Sequence, residues 1–344
     1  MPLNGSVGQS DYTETKQRHF AAVVQTHLRV AKGIFQKSNS KKYKNWIQPQ
    51  YLYVDMYAGS GSNFENVPGS PVIFLDQARK VGINNVPIFI EENEYSAVQL
   101  NDELRRKGAT NFQVVNSTNK LHIEKMIASP PPSKQIGLAY LDPNGIPDFD
   151  LIKRLSFVPQ YEKFDFLINC PATAIKRAKS VKSCKQAKNL IEELVSINKN
   201  YWIIREPIGR WQWTFLIGTN WNSFPKFKNL GFWPLSSPQG RNIAINLSYS
   251  ASEIEKLNKD RWYKDYNEYL SHPFFKLIRK EVMANARGNI ERLKKWGPVC
   301  QVCKNDFAMD VHHEKYCEWG EFDVPENLIA VCRKCHCDIH GKES

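Results

Sequence analysis

Two Cys-x-x-Cys pairs, Cys300/Cys303 and Cys332/Cys335, bracket a histidine pair, His312 and His313, and an asparagine, Asn327. His336 and His340 close the segment. Each cysteine pair offers two thiolates at the short spacing that a tetrahedral Zn²⁺ site uses. His336 and His340 lie four residues apart, so on a helix they face the same way and can share one ion. On an extended segment His312 and His313 point in different directions and can do different jobs. This is more chemistry than a plain zinc knuckle requires.

A second set of residues lies far upstream. The stretch Asp55-Met-Tyr-Ala-Gly59-Ser-Gly61 follows an apolar run, and its glycines let the backbone approach a ligand closely. Glu91 ends another apolar run, where an acid can accept from ribose hydroxyls. Asn116 and Asp142 end two more.

These positions must be held by strands and helices in alternation. Residues 16–35 carry apolar positions at helical spacing. Strands are expected at 51–56, 86–90, 112–115, 136–141 and 164–168, with helices between them. Pro71 opens one of those helices where its missing N–H does no harm. Two closing strands are expected at 213–217 and 243–247, with little helix between them. The pattern predicts a largely parallel, doubly wound α/β sheet, in which ligands sit beyond the carboxyl ends of the strands. Gly59, Gly61, Glu91 and Asp142 all fall there. A charged helical connector is expected over 251–270, and a further helix over 274–293. The chain therefore divides into 1–250, the connector 251–270, and a C-terminal module over 271–344.

Composition agrees with this division. A chain of 344 residues is long for one domain, and 42% hydrophobic with 12% aromatic residues is enough for real cores. The 47 basic residues exceed the 35 acidic ones, and the net charge of +12 favours a polyanionic partner, DNA above all. Residues 176–188 form the densest basic run, suited to a phosphate backbone or to a solvated helix face. Residues 205–213 and 221–233 are rich in Trp and Arg and suit base stacking or a core. The first 11 residues hold no apolar signal segment, and no apolar run is long enough for a membrane helix. Eight cysteines without a secretion signal point to metal ligands in a reducing compartment, and a cytoplasmic location is expected.

From about Ser271 onward the chain resembles the HNH endonuclease family in its ββα-metal form with a zinc-knuckle frame. The resemblance implies a structural Zn²⁺ on Cys300, Cys303, Cys332 and Cys335. It implies that His313 is the general base that activates water and that Asn327 positions that base or its loop. It places a catalytic divalent ion, Mg²⁺ or Mn²⁺, on His312 and His336, with His340 as a third ligand. Such an ion neutralises charge on a scissile phosphate. Cys317 and Cys337 have no place in this scheme and are expected to be incidental thiols.

The upstream stretch from Asp55 to Gly61 resembles the first motif of class I S-adenosylmethionine-dependent methyltransferases. Gly69-Ser70-Pro71, Phe89-Ile90-Glu91, Leu141-Asp142-Pro143-Asn144-Gly145 and Ile168-Asn169-Cys170-Pro171 extend the likeness. Together they are similar to the three-Cys-motif partner protein family, a bacterial group with a methyltransferase-like, Rossmann-like fold, over about residues 16–250. The resemblance implies S-adenosylmethionine or a related nucleotide at Asp55, Gly59, Gly61, Glu91 and Asp142. Amino-methyltransferases carry Asp/Asn-Pro-Pro-aromatic where this chain has Asp142-Pro143-Asn144-Gly145. The aromatic platform is missing, although Asp142 can still accept from an amine.

The expected function is therefore a metal-dependent DNA endonuclease. Its N-terminal domain would recognise nucleic acid or a nucleotide-like ligand and gate the cutter, in bacterial defence against foreign DNA, and a partner protein is a further expected partner of the chain. The alternative is an S-adenosylmethionine-dependent nucleic-acid methyltransferase whose zinc module grips DNA. A non-catalytic DNA-binding protein is the third reading.

Overall fold

The computed structural model describes residues 13–38, 47–62, 67–143, 145–172, 175, 190–207, 213–222, 224–290, 293–318 and 320–341. In chain order the first elements are α1 (Thr13–Ser38), β1 (Ile47–Asp55), α2 (Ser70–Val81), β2 (Asn85–Glu91) and α3 (Glu94–Arg106). Then come β3 (Gln113–Asn116), α4 (Asn119–Ala128), β4 (Lys134–Leu141), α5 (Phe149–Ser156) and β5 (Phe164–Pro171). Three strands complete the sheet: β6 (Tyr201–Arg205), β7 (Trp213–Thr219) and β8 (Phe232–Pro234). The order across it is β3-β2-β1-β4-β5-β7-β6-β8.

The strands from β1 to β5 pair in parallel. β7 runs antiparallel to both β5 and β6, and β8 runs antiparallel to β6. The result is a mixed α/β domain around a large, parallel-rich sheet, consistent with a methyltransferase-like Rossmann fold. Both faces of the sheet are covered. Along β4, Leu138 and Tyr140 enter one core with Phe20, Val24, Tyr53 and Phe74, beneath α1 and α2. Ala139 and Leu141 enter the other, with Val54, Phe166 and Ile168. The alternation is the two-residue period of a strand.

The structure corrects several expectations. Residues 243–247 lie in the helix Pro238–Ser248 rather than in a strand. Ser237 caps that helix through Gly240 N and Pro238 sits in its first turn, a start signal stronger than the short apolar run. Its buried residues, Gly240, Arg241, Ala244, Leu247 and Ser248, follow helical spacing. β6 and β8 were not expected at all. The charged connector is two helices, Ala251–Asp260 and Tyr266–Ser271, and the helix expected over 274–293 ends at Asn285. The run 176–188 lies outside the described residues, as does part of 205–213.

The C-terminal part adds the helix Pro273–Asn285 and two hairpins, β9 (Arg287–Ile290) with β10 (Lys295–Pro298), and β11 (Asp310–His313) with β12 (Leu328–Val331). A last helix, Arg333–Ile339, follows β12. Phe274, Phe275, Leu277, Ile278 and Val282 join the sheet's second core. At roughly 1.5–3 kcal/mol per fully buried side chain, release of this helix is costly. Arg241 adds a polar tie. Its guanidinium donates to the carbonyls of Phe322 at 3.0 Å and Asp323 at 2.9 Å, and to that of Ser236. Among the described residues, no helix is long and apolar enough to cross a membrane.

Replacing Arg241 with Met orphans buried carbonyls at this junction, each costing about 1–3 kcal/mol. Thermal unfolding of Arg241→Met should therefore fall by several degrees, with proteolytic cleavage rising in the segment around Phe322. An unchanged melting temperature would show that the tie contributes nothing.

Candidate functional site

The upstream residues converge as the parallel sheet requires. Asp55, Glu91 and Asp142 stand at or just past the carboxyl ends of β1, β2 and β4. After Asp55 the chain turns through Gly59 and Gly61 at φ of +63° and +88°, conformations that favour glycine. Gly69 N donates to Gly61 O at 2.7 Å and closes the loop just before α2. Glu91 holds the loop from the other side. One carboxylate oxygen accepts from Gly59 N and the other from Asn93 N, each at 2.8 Å. Each oxygen keeps a further lone pair, so a ligand hydroxyl can still be bound.

Between these groups lies a cleft of about 900 Å³, within the range of nucleotide-sized pockets. Gly59, Gly61, Glu91 and Asp142 line it. Asp55 does not. It is 0% exposed and sits behind the loop, accepting from Tyr57 N and Tyr53 OH, both at 3.2 Å. Burial pushes its carboxyl up to about 7, although the hydrogen bond from Ser70 pulls the other way. Asn116 is also a scaffold residue, its amide spanning the carbonyls of Glu91 and Glu92. Sequence reasoning missed Lys16, on α1, whose Nζ lies 2.7 Å from Asp142 Oδ2.

The second constellation is divided by the hairpin. β11 and β12 pair antiparallel, with His312 opposite Ile329 and His313 opposite Leu328. Neighbours on a strand face opposite ways. His312 turns towards His336 and His340, with ring centroids 5.5 and 5.0 Å away. One nitrogen from each of the three rings falls within 4.8 Å of the others. Burial, then the rings of His340 and His336, hold the His312 imidazole below its ordinary range, in the neutral form that binds metal. Three imidazoles suit a borderline divalent ion with an open position.

His313 turns the other way and is only 6% exposed. Its Nε2 lies 3.0 Å from Asp323 Oδ2 and its Nδ1 lies 3.3 Å from Tyr266 OH. Tyr316 and Phe275 stack on its two sides, nearly parallel to the ring. Tyr269 OH donates to the same Asp323 carboxylate. Burial alone would raise the Asp323 carboxyl, but hydrogen bonds from His313 and Tyr269 hold it below the ordinary range. Asn327 anchors the end of the hairpin, its carbonyl accepting from Glu314 N at 2.9 Å. Sequence reasoning missed Asp323, because no local signal marks an acid that pairs across a loop.

The cysteines meet as the spacing promised. The sulfurs of Cys300, Cys303, Cys332 and Cys335 lie within 4.8 Å of one another, and Cys303 and Cys332 are 3.9 Å apart. A tetrahedron with Zn–S arms of about 2.3 Å has edges of about 3.8 Å. The donor set fits Zn²⁺. Cys317 donates to Glu321 O at 3.4 Å instead, and neither it nor Cys337 belongs to the cluster.

No family model matches the chain, and no curated protein matches it. Solved structures do. A Legionella pneumophila protein described by its family model alone is 15% identical over 61% of this chain and 89% of its own, with a TM-score of 0.39. An rRNA methylase of Streptococcus thermophilus is 9% identical over 50% of this chain and 87% of its own, at 0.31. TYW2 of M. jannaschii, solved with AdoMet, is 10% identical over 62% of this chain and 77% of its own, also at 0.31. The expected enzyme class is corrected here. The matching structures reported include an rRNA methylase and an AdoMet-bound protein, and no nuclease is among them. His313, the ring expected to activate water, meets Asp323 through Nε2 and Tyr266 OH through Nδ1. With hydrolysis goes the catalytic role expected of Mg²⁺ or Mn²⁺, and the defence role built on cutting.

Two outcomes are expected. Elemental analysis should find one tightly held Zn²⁺ per chain, lost in Cys332→Ser. His312→Ala should keep that Zn²⁺ while losing a second, weaker site in a Co²⁺ or Ni²⁺ titration. Asp55 makes stability depend on pH. Its folded-state pKa is raised, so the folded state holds the proton more tightly and stability falls as pH climbs from about 4 to 7. The penalty at pH 8 is on the order of 4 kcal/mol. Melting curves at pH 5 and pH 8 should show Asp55→Asn gaining on the parent at the higher pH, and parallel curves would exclude the effect.

Proposed function

We propose that the chain binds S-adenosylmethionine in the cleft at the ends of β1, β2 and β4 and methylates a nucleic acid, which the C-terminal zinc module grips. The observation that carries this reading is the Gly59–Gly61 loop, closed on itself by Gly69 and held by Glu91 at the mouth of a cleft of about 900 Å³. Gly59 and Gly61 would let the backbone lie against the ligand, and Glu91 would accept from its ribose hydroxyls. Asp55 would act from behind, by holding the loop through Tyr57 N. The bound cofactor would supply an electrophilic methyl group. Asp142 would accept a hydrogen bond from the target amine and orient its lone pair.

In this reading the division at 1–250, 251–270 and 271–344 separates a transferase domain from a nucleic-acid grip. The net charge of +12 supports a polyanionic partner. Cys300, Cys303, Cys332 and Cys335 would hold structural Zn²⁺, which supplies folding free energy to a module with little core of its own. That site is stable in a reducing compartment, which makes the cytoplasm the natural setting. His312, His336 and His340 would hold a second divalent ion. His313, Asp323 and Asn327 would shape the hairpin rather than act on substrate.

Calorimetric titration with S-adenosylhomocysteine, joined to radiolabelled methyl transfer onto DNA and RNA, tests the reading. Binding is expected, with Glu91→Ala weakening it at least tenfold, about 1.4 kcal/mol. Transfer should fall steeply with salt, as phosphate contacts require. Absence of any binding to the zinc-loaded protein would refute the proposal.

A further inference from the structure

Three donors converge on Asp142. Lys16 Nζ at 2.7 Å and Tyr140 OH at 3.0 Å reach Oδ2, while Asn169 Nδ2 at 2.7 Å reaches Oδ1. Lys16 comes from α1, a helix that precedes β1 in sequence and brings its Lys16, Gln17 and Phe20 to the wall of the cleft. The Lys16 and Asp142 side chains are 26% and 22% exposed. An ion pair this open to water is weak, and its members separate readily. The lysine is therefore a displaceable occupant of Asp142 rather than a permanent partner.

The cleft that Asp142 lines holds further acceptors. Gln17 Oε1 and Asn119 Oδ1 are buried without a hydrogen-bond partner, and both residues line the cleft. Asn169 Oδ1 is also unpartnered, in a side chain 6% exposed, and its identity as oxygen follows from the amide nitrogen's bond to Asp142. Buried acceptors without donors are costly and uncommon. A carboxylate and two amide oxygens lining one cleft suit a group with several N–H donors and repel one rich in lone pairs.

We propose that this end of the cleft is a subsite for a primary amino group, and that the Lys16 ammonium fills it in the free chain as a tethered stand-in that a ligand displaces. The subsite rests on the cofactor reading above, which places the methyl donor in the same cleft. It makes Lys16, Gln17 and Asn119 specificity residues of the N-terminal domain, with Asn169 positioning Asp142 through its amide nitrogen. α1 then does two jobs, covering one face of the sheet and guarding the acceptor position.

Two cofactor analogues that differ at the reacting end test the subsite. S-adenosylhomocysteine carries a neutral thioether there, and sinefungin carries an ammonium. Calorimetry on the full zinc-loaded chain should show Lys16→Met raising sinefungin affinity at least fivefold, with S-adenosylhomocysteine changing less than twofold. Adding Asp142→Asn to Lys16→Met should abolish the gain. Lys16→Gln serves the same purpose if the Met variant fails to fold. Equal changes for both analogues, or weaker sinefungin binding, would overturn the subsite alone. Failure of both analogues to bind any variant would overturn the cofactor reading and the subsite with it.

Discussion

The parallel pairing of β1 with both β2 and β4 is the constraint on which the cleft depends. In that register Asp55 stands beside Phe89 on one side and Tyr140 on the other. The three strands thus end nearly level, and the residues that follow them open onto one crevice. The strands are covered on both faces by separate cores, so polar side chains are costly along their length. Chemistry is pushed to the strand ends. There Glu91 accepts from Gly59 N, and Gly69 N closes the glycine loop on Gly61 O.

The C-terminal module solves a different problem. Its private apolar cluster contains Cys300, Val331, Cys332 and Cys335, which is too little to hold a fold. It borrows stability in two ways. Four thiols gather in a geometry suited to Zn²⁺, and the helix Pro273–Asn285 shares the core of the sheet. The docking explains the fate of His313. A buried imidazole must satisfy both nitrogens, and Asp323 and Tyr266 do so. Through Tyr266 the ring also connects the hairpin to the helix Tyr266–Ser271. Its neighbour His312, on the other face, lies beside His336 and His340.

Legibility in the sequence followed the range of the interactions. The parallel strands β1, β2, β4 and β5 were readable because two-sided burial leaves near-continuous apolar runs. β8 is three residues long, too short for any period to show. Residues 243–247 look strand-like by composition, yet the Ser237 cap and the burial of Arg241 and Ala244 make them helical. Arg241 illustrates the limit well. A charged residue reads as solvent-facing, and its burial makes sense only once the carbonyls of Phe322 and Asp323 lie in front of it.

The sequence by itself determined what short spacing can encode. It settled the alternation of strand and helix from β1 to β5, the glycine turn after β1, and the paired cysteines and histidines. Those depend on dihedral preference, periodicity and ligand bite, all local properties. Tertiary structure alone decided which side chains meet. Lys16 reaches Asp142 across 126 residues of chain, and His313 finds Asp323 from the opposite side of a loop. It also decided that Asp55 stands behind the loop rather than in the cleft, because which face of a strand end is buried depends on what the rest of the chain packs against it.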